Sequence, residues 1–237
     1  MNSSKGKLYL IPSVLGDTPA DHVIPRPVSG KLKELDHFIV ENIRTARRYL
    51  RKTGYAKDFN GVQFFILDKK TRAADYYTFL QPAMQGYDIG LLSEAGLPAV
   101  ADPGAEIVRI AHSEKIRVIP LTGPSSIMLA LMASGFNGQN FSFHGYLPIQ
   151  RNPRENKITA LERQVYQFDQ TQIFIETPYR NLQMLESILK VCRPETMLCI
   201  ACDLTTDQEL IISKPIKHWH GEAPDIHKRP AVFLLYK

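Results

Sequence analysis

The sequence predicts an α/β protein built as two α/β domains, and three observations carry that expectation. Short apolar runs alternate with amphipathic stretches along almost the whole chain, the pattern of strands that cross over through helices. The 237 residues are 44% hydrophobic, enough for one large core or two small ones. The alternation breaks at residues 121–123 and then resumes, which gives domains of residues 1–121 and 122–237.

The elements follow in order. Residues 8–11 are a continuous apolar run, too short for a helix and closed by Pro12, and read as the first strand. Pro19, Pro25 and Pro27 then interrupt any long helix in the next stretch. Runs at 38–41, 64–67, 89–92 and 117–120 repeat the strand pattern, and helical periodicity fills 43–52, 73–85 and 104–114. After the break, a helix at 125–134 leads to strands near 141–145, 173–176, 197–202, 209–212 and 231–236. Helices at about 154–167 and 179–192 fill the gaps, and the adjacent strands near the end predict a mixed second sheet.

Composition removes several classes. Disorder does not fit 44% hydrophobic with 22% charged residues, and Gly 14 with Pro 16 is too little for a collagen-like chain. The net charge of +5 permits an anionic partner without requiring one. The longest stretch free of Asp, Glu, Lys and Arg, residues 118–150, is cut by Gly123, Pro124, Gly135 and Gly138. Its apolar helical part, 127–133, is far short of the roughly 20 residues that cross a bilayer. The first seven residues are polar, without the apolar run of a secretory signal, and the cysteines number 3, so a cytoplasmic protein is expected. Cys199 and Cys202 have C-x-x-C spacing, but residues three apart on a strand face opposite ways, so they read as buried thiols and no metal is expected. His218 and His220 flank Trp219 without a third ligand nearby and read as surface or partly packed side chains.

In sheets of this kind ligands bind beyond the carboxyl ends of the strands, so the loops there carry the functional argument. The loop Pro12-Ser13-Val14-Leu15-Gly16-Asp17 is neither a dinucleotide fingerprint nor a phosphate loop. The segment Ser93-Glu94-Ala95-Gly96-Leu97-Pro98-Ala99-Val100-Ala101-Asp102-Pro103-Gly104 is the strongest in the chain. Its small residues let main-chain groups approach a ligand, and Asp102 is placed to cap the helix that Pro103 begins. The third loop, Leu121-Thr122-Gly123-Pro124-Ser125-Ser126, also follows a strand and opens a helix.

The last two loops, in this order and separation, resemble those of the tetrapyrrole methylase superfamily. Within it the closest resemblance is to the small-subunit ribosomal RNA cytidine 2′-O-methyltransferase branch. Further segments agree in register: Leu8-Tyr9-Leu10-Ile11-Pro12, Val40-Glu41-Asn42-Ile43-Arg44-Thr45, Phe143-His144-Gly145-Tyr146-Leu147-Pro148 and Phe174-Ile175-Glu176-Thr177-Pro178-Tyr179-Arg180. The resemblance implies two α/β/α domains, a homodimer, and S-adenosylmethionine bound in a cleft between the domains. Carried over to this chain, Ser93, Glu94, Ala95, Gly96, Ala101 and Asp102 line the methionine and ribose side. Thr122, Gly123, Pro124 and Ser125 form the opposing wall, and Phe174, Ile175 and the Pro230–Ala231 backbone approach the adenine. Glu41 and Arg44 are the candidate catalytic pair, as a general base or orienting charge for an oxygen acceptor. The implied function is methylation of RNA, with a ribosomal ribose 2′-hydroxyl as acceptor. The alternatives are a tetrapyrrole or other acceptor, or a cofactor-binding protein without turnover.

Some segments depart from the branch. Its acidic pair reads Glu41-Asn42, its A-R-E-L-T-K reads Ala201-Cys202-Asp203-Leu204-Thr205-Thr206, and its K-G-E reads Lys228-Arg229-Pro230. Arg44, Arg47, Arg48 and Arg51 recur at helical spacing and form a basic stripe that could grip phosphates or stay solvated. No aromatic residues interleave with that stripe.

Overall fold

The computed structural model describes residues 4–68, 70–219, 221 and 224–237; His220 lies outside them. The chain divides into two compact units, Met1–Ser125 and Ser126–Lys237. Among the described residues, ten strands form two five-stranded sheets, one in each unit.

The first unit runs β1 (Lys7–Ile11), α1 (Ala20–Val23), α2 (Arg26–Glu34), β2 (His37–Val40), α3 (Ile43–Lys52), β3 (Gln63–Ile66), α4 (Tyr76–Phe79), α5 (Gln81–Met84), β4 (Ile89–Leu92), α6 (Gly104–Ser113) and β5 (Arg117–Pro120). Its strands lie in the order β3-β2-β4-β1-β5, all parallel. Both faces of the central strands are buried, as a parallel sheet requires, and the edge strands β3 and β5 are partly exposed. Tyr9, Ile11, Phe38, Val40 and Leu92 face α1, α2 and α3, whereas Leu8, Ile39, Ile89 and Leu91 face α4, α5 and α6. The connection leaving β1 goes past β4 to β2, and the one leaving β4 goes past β1 to β5. The switch point of the sheet therefore lies between β1 and β4.

Local chemistry sets the helix ends. Asn42 accepts from the N–H groups of Arg44 (2.8 Å) and Thr45 (3.4 Å) and starts α3 at the residue its sequence predicts. Pro25 and Pro27 separate α1 from α2 and open the latter, since proline is tolerated only in a first turn. The single helix expected over 73–85 is instead a 3₁₀ turn (Ala73–Asp75) followed by α4 and α5, because Pro82 restarts the chain at α5.

The second unit runs α7 (Ser126–Ser134), β6 (Phe141–Tyr146), α8 (Arg151–Phe168), β7 (Thr171–Glu176), α9 (Asn181–Val191), β8 (Met197–Cys202), β9 (Leu210–Pro215) and β10 (Ala231–Tyr236). Its sheet is mixed, in the order β6-β7-β10-β8-β9, with only the β6–β7 pair parallel. α8 and α9 cover one face through Ile158, Leu161, Val165, Met184 and Ile188, and α7 packs on β8, β9 and β10. The helix expected from Tyr179 begins at Asn181, because Pro178 first forms a 3₁₀ turn. Cys199 and Cys202 are buried, and burial pushes both thiols up to about 12, so they stay protonated. Among the described residues no helix is long and apolar enough to cross a membrane.

Candidate active site

At the carboxyl ends of β1, β2 and β4, beside the switch point, the first unit opens a pocket of about 470 Å³. Its apolar lining is Val40, Leu92, Val14 and Ala46. Its polar lining is Ser13, Asp17, Glu41, Thr45, Arg48, Tyr49, Lys52, Ser93 and Glu94. The volume falls in the range of small-molecule sites, and the mixture of an apolar floor with a few polar groups is theirs too.

Main-chain contacts hold the strand-end loops together. Ser13 N–H donates to Gly96 O (2.8 Å), and the buried Ser13 hydroxyl donates to Ser93 O (3.1 Å). Gly123 lies flat on Pro12, where a Cβ would meet the ring at 2.1 Å. Gly96 sits at φ 72°, and Ala99 (φ 65°) and Ala101 (φ 58°) also occupy the left-handed region. Each such alanine costs on the order of 1 kcal/mol, and strain of this kind concentrates at ligand clamps. Asp102 accepts from Gly104 N–H (2.7 Å) and Ala99 N–H (2.9 Å), bracing both the start of α6 and the strained turn before it. Burial pushes the Asp102 carboxyl up from its ordinary value, against the two N–H donors, which pull it down.

α3 forms the opposite wall. Thr45 donates its hydroxyl to Glu94 at 2.6 Å, and Lys52 pairs with Asp17 at 3.1 Å. Tyr49 donates to Pro12 O at 2.6 Å, and its burial raises the phenol further above neutrality, so it stays a donor. The face of α3 toward the pocket is therefore Thr45, Arg48, Tyr49 and Lys52, one position along from the arginine stripe. Of that stripe, Arg47 lies over the rings of Phe59 (5.2 Å) and Phe64 (5.3 Å), and Arg51 over Phe59 (4.2 Å). Aromatic rings thus do meet these arginines, from β3 and the turn before it rather than from α3 itself.

The structure brings Glu41, Ser93 and Glu94 together in the pocket and places Gly96 beside it, through Ser13. Arg44 is exposed on the first turn of α3 and does not line the pocket. Ala95 and Ala101 are exposed in the β4–α6 loop. Pro124 approaches Gly96, and Thr122 is exposed ahead of Gly123 and the partly buried Ser125. In the second unit, the Phe174 ring is fully buried and stacked on Phe233 at 5.8 Å, so only main chain is left there for a ligand. Ile175 is half-buried and pairs with Val232, next to Ala231 at the start of β10. Of the remaining pocket residues, Ser13 and Asp17 belong to the first strand-end loop, Thr45 to a segment that matches the family and Arg48 to the arginine stripe, whereas Tyr49 and Lys52 are absent from the sequence-based candidates. The i, i+3, i+4, i+7 spacing of the α3 four was the signal that could have found them.

Two of the segments that depart from the branch pattern meet each other. Arg229 Nε donates to Asp203 Oδ2 at 2.6 Å, and Asp203 N–H donates to Pro230 O at 3.0 Å.

No family model matches the chain. A curated relative from Escherichia coli, ribosomal RNA small subunit methyltransferase I, is 30% identical over 99% of this chain and 79% of its own length. The protein of the same name from Halalkalibacterium halodurans is 32% identical over 92% and 72%. This chain belongs to the ribosomal RNA small subunit methyltransferase I family. It is a methyltransferase, and the motifs that resembled the family hold its strand-end loops. Among solved structures, the methyltransferase CobJ superposes with a TM-score of 0.62 at 18% identity, covering 98% of this chain and 94% of that one. Uroporphyrin-III-C-methyltransferase from Thermus thermophilus gives 0.59 at 17%, covering 98% and 92%. These two likenesses show that the fold is that of tetrapyrrole methylases.

Proposed function

We propose that the protein transfers a methyl group from S-adenosylmethionine to a ribose 2′-hydroxyl of small-subunit ribosomal RNA, as a cytoplasmic homodimer. The observation that carries this reading is the β4–α6 loop: small, partly exposed, strained at Ala99 and Ala101, and bonded through Gly96 to the rim of a charged pocket. Such a loop fits the donor, because it offers main-chain N–H and C=O groups with no side chain in the way. Ser93, Glu94, Ala95, Gly96, Ala101 and Asp102 would hold the donor, together with Thr122, Gly123, Pro124 and Ser125. Bound there, S-adenosylmethionine supplies an activated methyl group on a sulfonium.

The protein's own part is positioning and proton handling. A ribose hydroxyl is a weak nucleophile, so a carboxylate that accepts its hydrogen bond, and then its proton, lowers the barrier. Glu41, on the pocket wall directly after β2, takes that role, and Arg44 at the mouth of α3 steers the anionic substrate.

Calorimetric titration with S-adenosylmethionine tests the donor. Wild type is expected to bind, and Gly96→Val to bind about ten-fold more weakly or worse, because a branched residue is strained at φ 72°. No heat up to millimolar donor would remove the donor from the proposal. Labelled donor incubated with small ribosomal subunits tests the acceptor: a ribose methyl leaves an alkali-resistant dinucleotide, and label elsewhere would point to another acceptor.

A further inference from the structure

The pocket of the first unit has an internal polarity of which the donor reading uses only the Ser93–Glu94 side. Glu41 and Glu94 line it near the strand ends, while Arg48 and Lys52 line it from successive turns of α3. Arg48 pairs with no carboxylate among the described residues. Lys52 is held at 3.1 Å by Asp17, a side chain fully exposed at the end of the β1 loop. Residues four apart on a helix stand about 6 Å apart at Cβ, comparable with neighbouring phosphates on one nucleic-acid strand.

We infer that this pocket seats a sugar–phosphate segment of the RNA acceptor, with Arg48 and Lys52 on its phosphates and Asp17 holding Lys52 until RNA displaces it. The inference rests on the RNA reading above and adds the acceptor's seat and orientation to it. The carboxylates repel phosphate from the inner wall and Glu41 accepts a hydrogen bond from the ribose hydroxyl, so the sugar points in and the phosphates out. The apolar Val40 and Leu92 form the floor against which the ribose ring can rest. Thr45 holds Glu94 by a 2.6 Å hydrogen bond, which fixes the inner carboxylate relative to the cations on the same helix. An exposed ion pair such as Lys52–Asp17 is weak enough for a phosphate to replace.

The charge logic makes substitutions at neighbouring positions act in opposite directions, which a structural role would not. Binding of the full chain to deproteinised small-subunit ribosomal RNA is measured over a range of salt, alongside calorimetric affinity for S-adenosylmethionine and thermal melts. Arg48→Ala and Lys52→Ala are each expected to weaken RNA binding about ten-fold or more. Each should also flatten the salt slope by about 0.7 to 0.9 per lost phosphate contact. Asp17→Asn is expected to tighten RNA binding by about two- to five-fold, since it releases Lys52 and removes a repelling charge. Donor affinity stays at the wild-type value in all three. RNA affinity unchanged or weakened in Asp17→Asn overturns the inference, and so does an unchanged salt slope in the other two. A loss of donor affinity matching the loss of RNA affinity reassigns the pocket to the donor. Wild type that fails to bind RNA takes down the RNA reading itself, whereas RNA binding blind to all three variants takes down only this assignment.

Discussion

At the carboxyl ends of its strands the first unit keeps its side chains small, exposed or aimed into a pocket, whereas the second fills the same level of its sheet with its own charges. After β4 the chain is held by main chain on main chain, Ser13 to Gly96, and the Lys52–Asp17 ion pair at the pocket faces water. After β7, the Glu176 carboxylate is fully buried and clamped by Arg180 at 2.6 Å. After β8, Asp203 is clamped by Arg229, and Asn181 ties Ile226 and Arg229 down through its amide. Ion pairs that satisfy each other leave nothing for a ligand, while cations and carboxylates spread around an open pocket do. Charge therefore closes on itself at the second unit's strand ends and lines an open pocket at the first's.

The largest effect that tests this contrast is on stability. Arg180→Ala removes the ion-pair partner of the buried Glu176, whose Oε2 has no hydrogen-bond partner among the described residues, and is expected to cost about 3 kcal/mol in urea unfolding. Asp17→Ala, which breaks the exposed pair, is expected to cost under about 1 kcal/mol. Equal costs would erase the distinction between the two sets of strand ends.

Next in size is the close approach of Gly123 to Pro12. In Gly123→Ala the new methyl group lies 2.1 Å from the proline ring, so the main chain of the 122–125 segment must move, at about 1–3 kcal/mol. Donor affinity should fall with it. Gly30→Ala is the control, because nothing lies within 4 Å of its Cβ and alanine is the better helix former in α2. It should raise the melting temperature and leave donor affinity alone; matching losses in both variants would mean that glycine freedom, not contact, governs the loop.

These strand-end features differ in how far the sequence announces them. α3 is legible to the residue because Asn42 and the helical periodicity are local signals, and the strands of both units are legible because their apolar runs are short and bounded. The β4–α6 loop is legible by composition alone. The strand order is not, because sequence patterns carry no pairing information across crossovers of this length. The face of α3 toward the pocket, one residue along from the arginine stripe, is hidden in the sequence for a similar reason. The arginines at 44, 47, 48 and 51 form the conspicuous stripe, but Arg47 and Arg51 are drawn onto Phe59 and Phe64, which approach from a later element. That pairing turns Thr45, Arg48, Tyr49 and Lys52 toward the strand ends. Asn42, where the branch pattern has a carboxylate, is the cap of that helix.

The smallest expected effect is also the most discriminating, because it separates charge from shape at Asp102. Its Oδ1 holds both Ala99 and Gly104, so Asp102→Ala should cost about 1 kcal/mol through the lost cap. Asp102→Asn keeps an oxygen in the same place and should cost little at neutral pH. The carboxyl is raised by burial above its ordinary value of 3.8, so its protonated form is favoured in the folded state. The stability this contributes is fully present below 3.8 and is lost as pH rises through the raised value. Wild type should therefore gain on Asp102→Asn as pH falls through that window, and the two unfolding curves should draw apart on the acid side. Curves that stay parallel would mean that the carboxylate is ionised at no cost, with its two N–H donors fully offsetting burial. If Asp102→Asn melts like wild type at neutral pH yet binds S-adenosylmethionine more weakly, the charge itself serves the ligand. If both are unchanged, Asp102 braces the strained loop and the donor is read by the main chain alone.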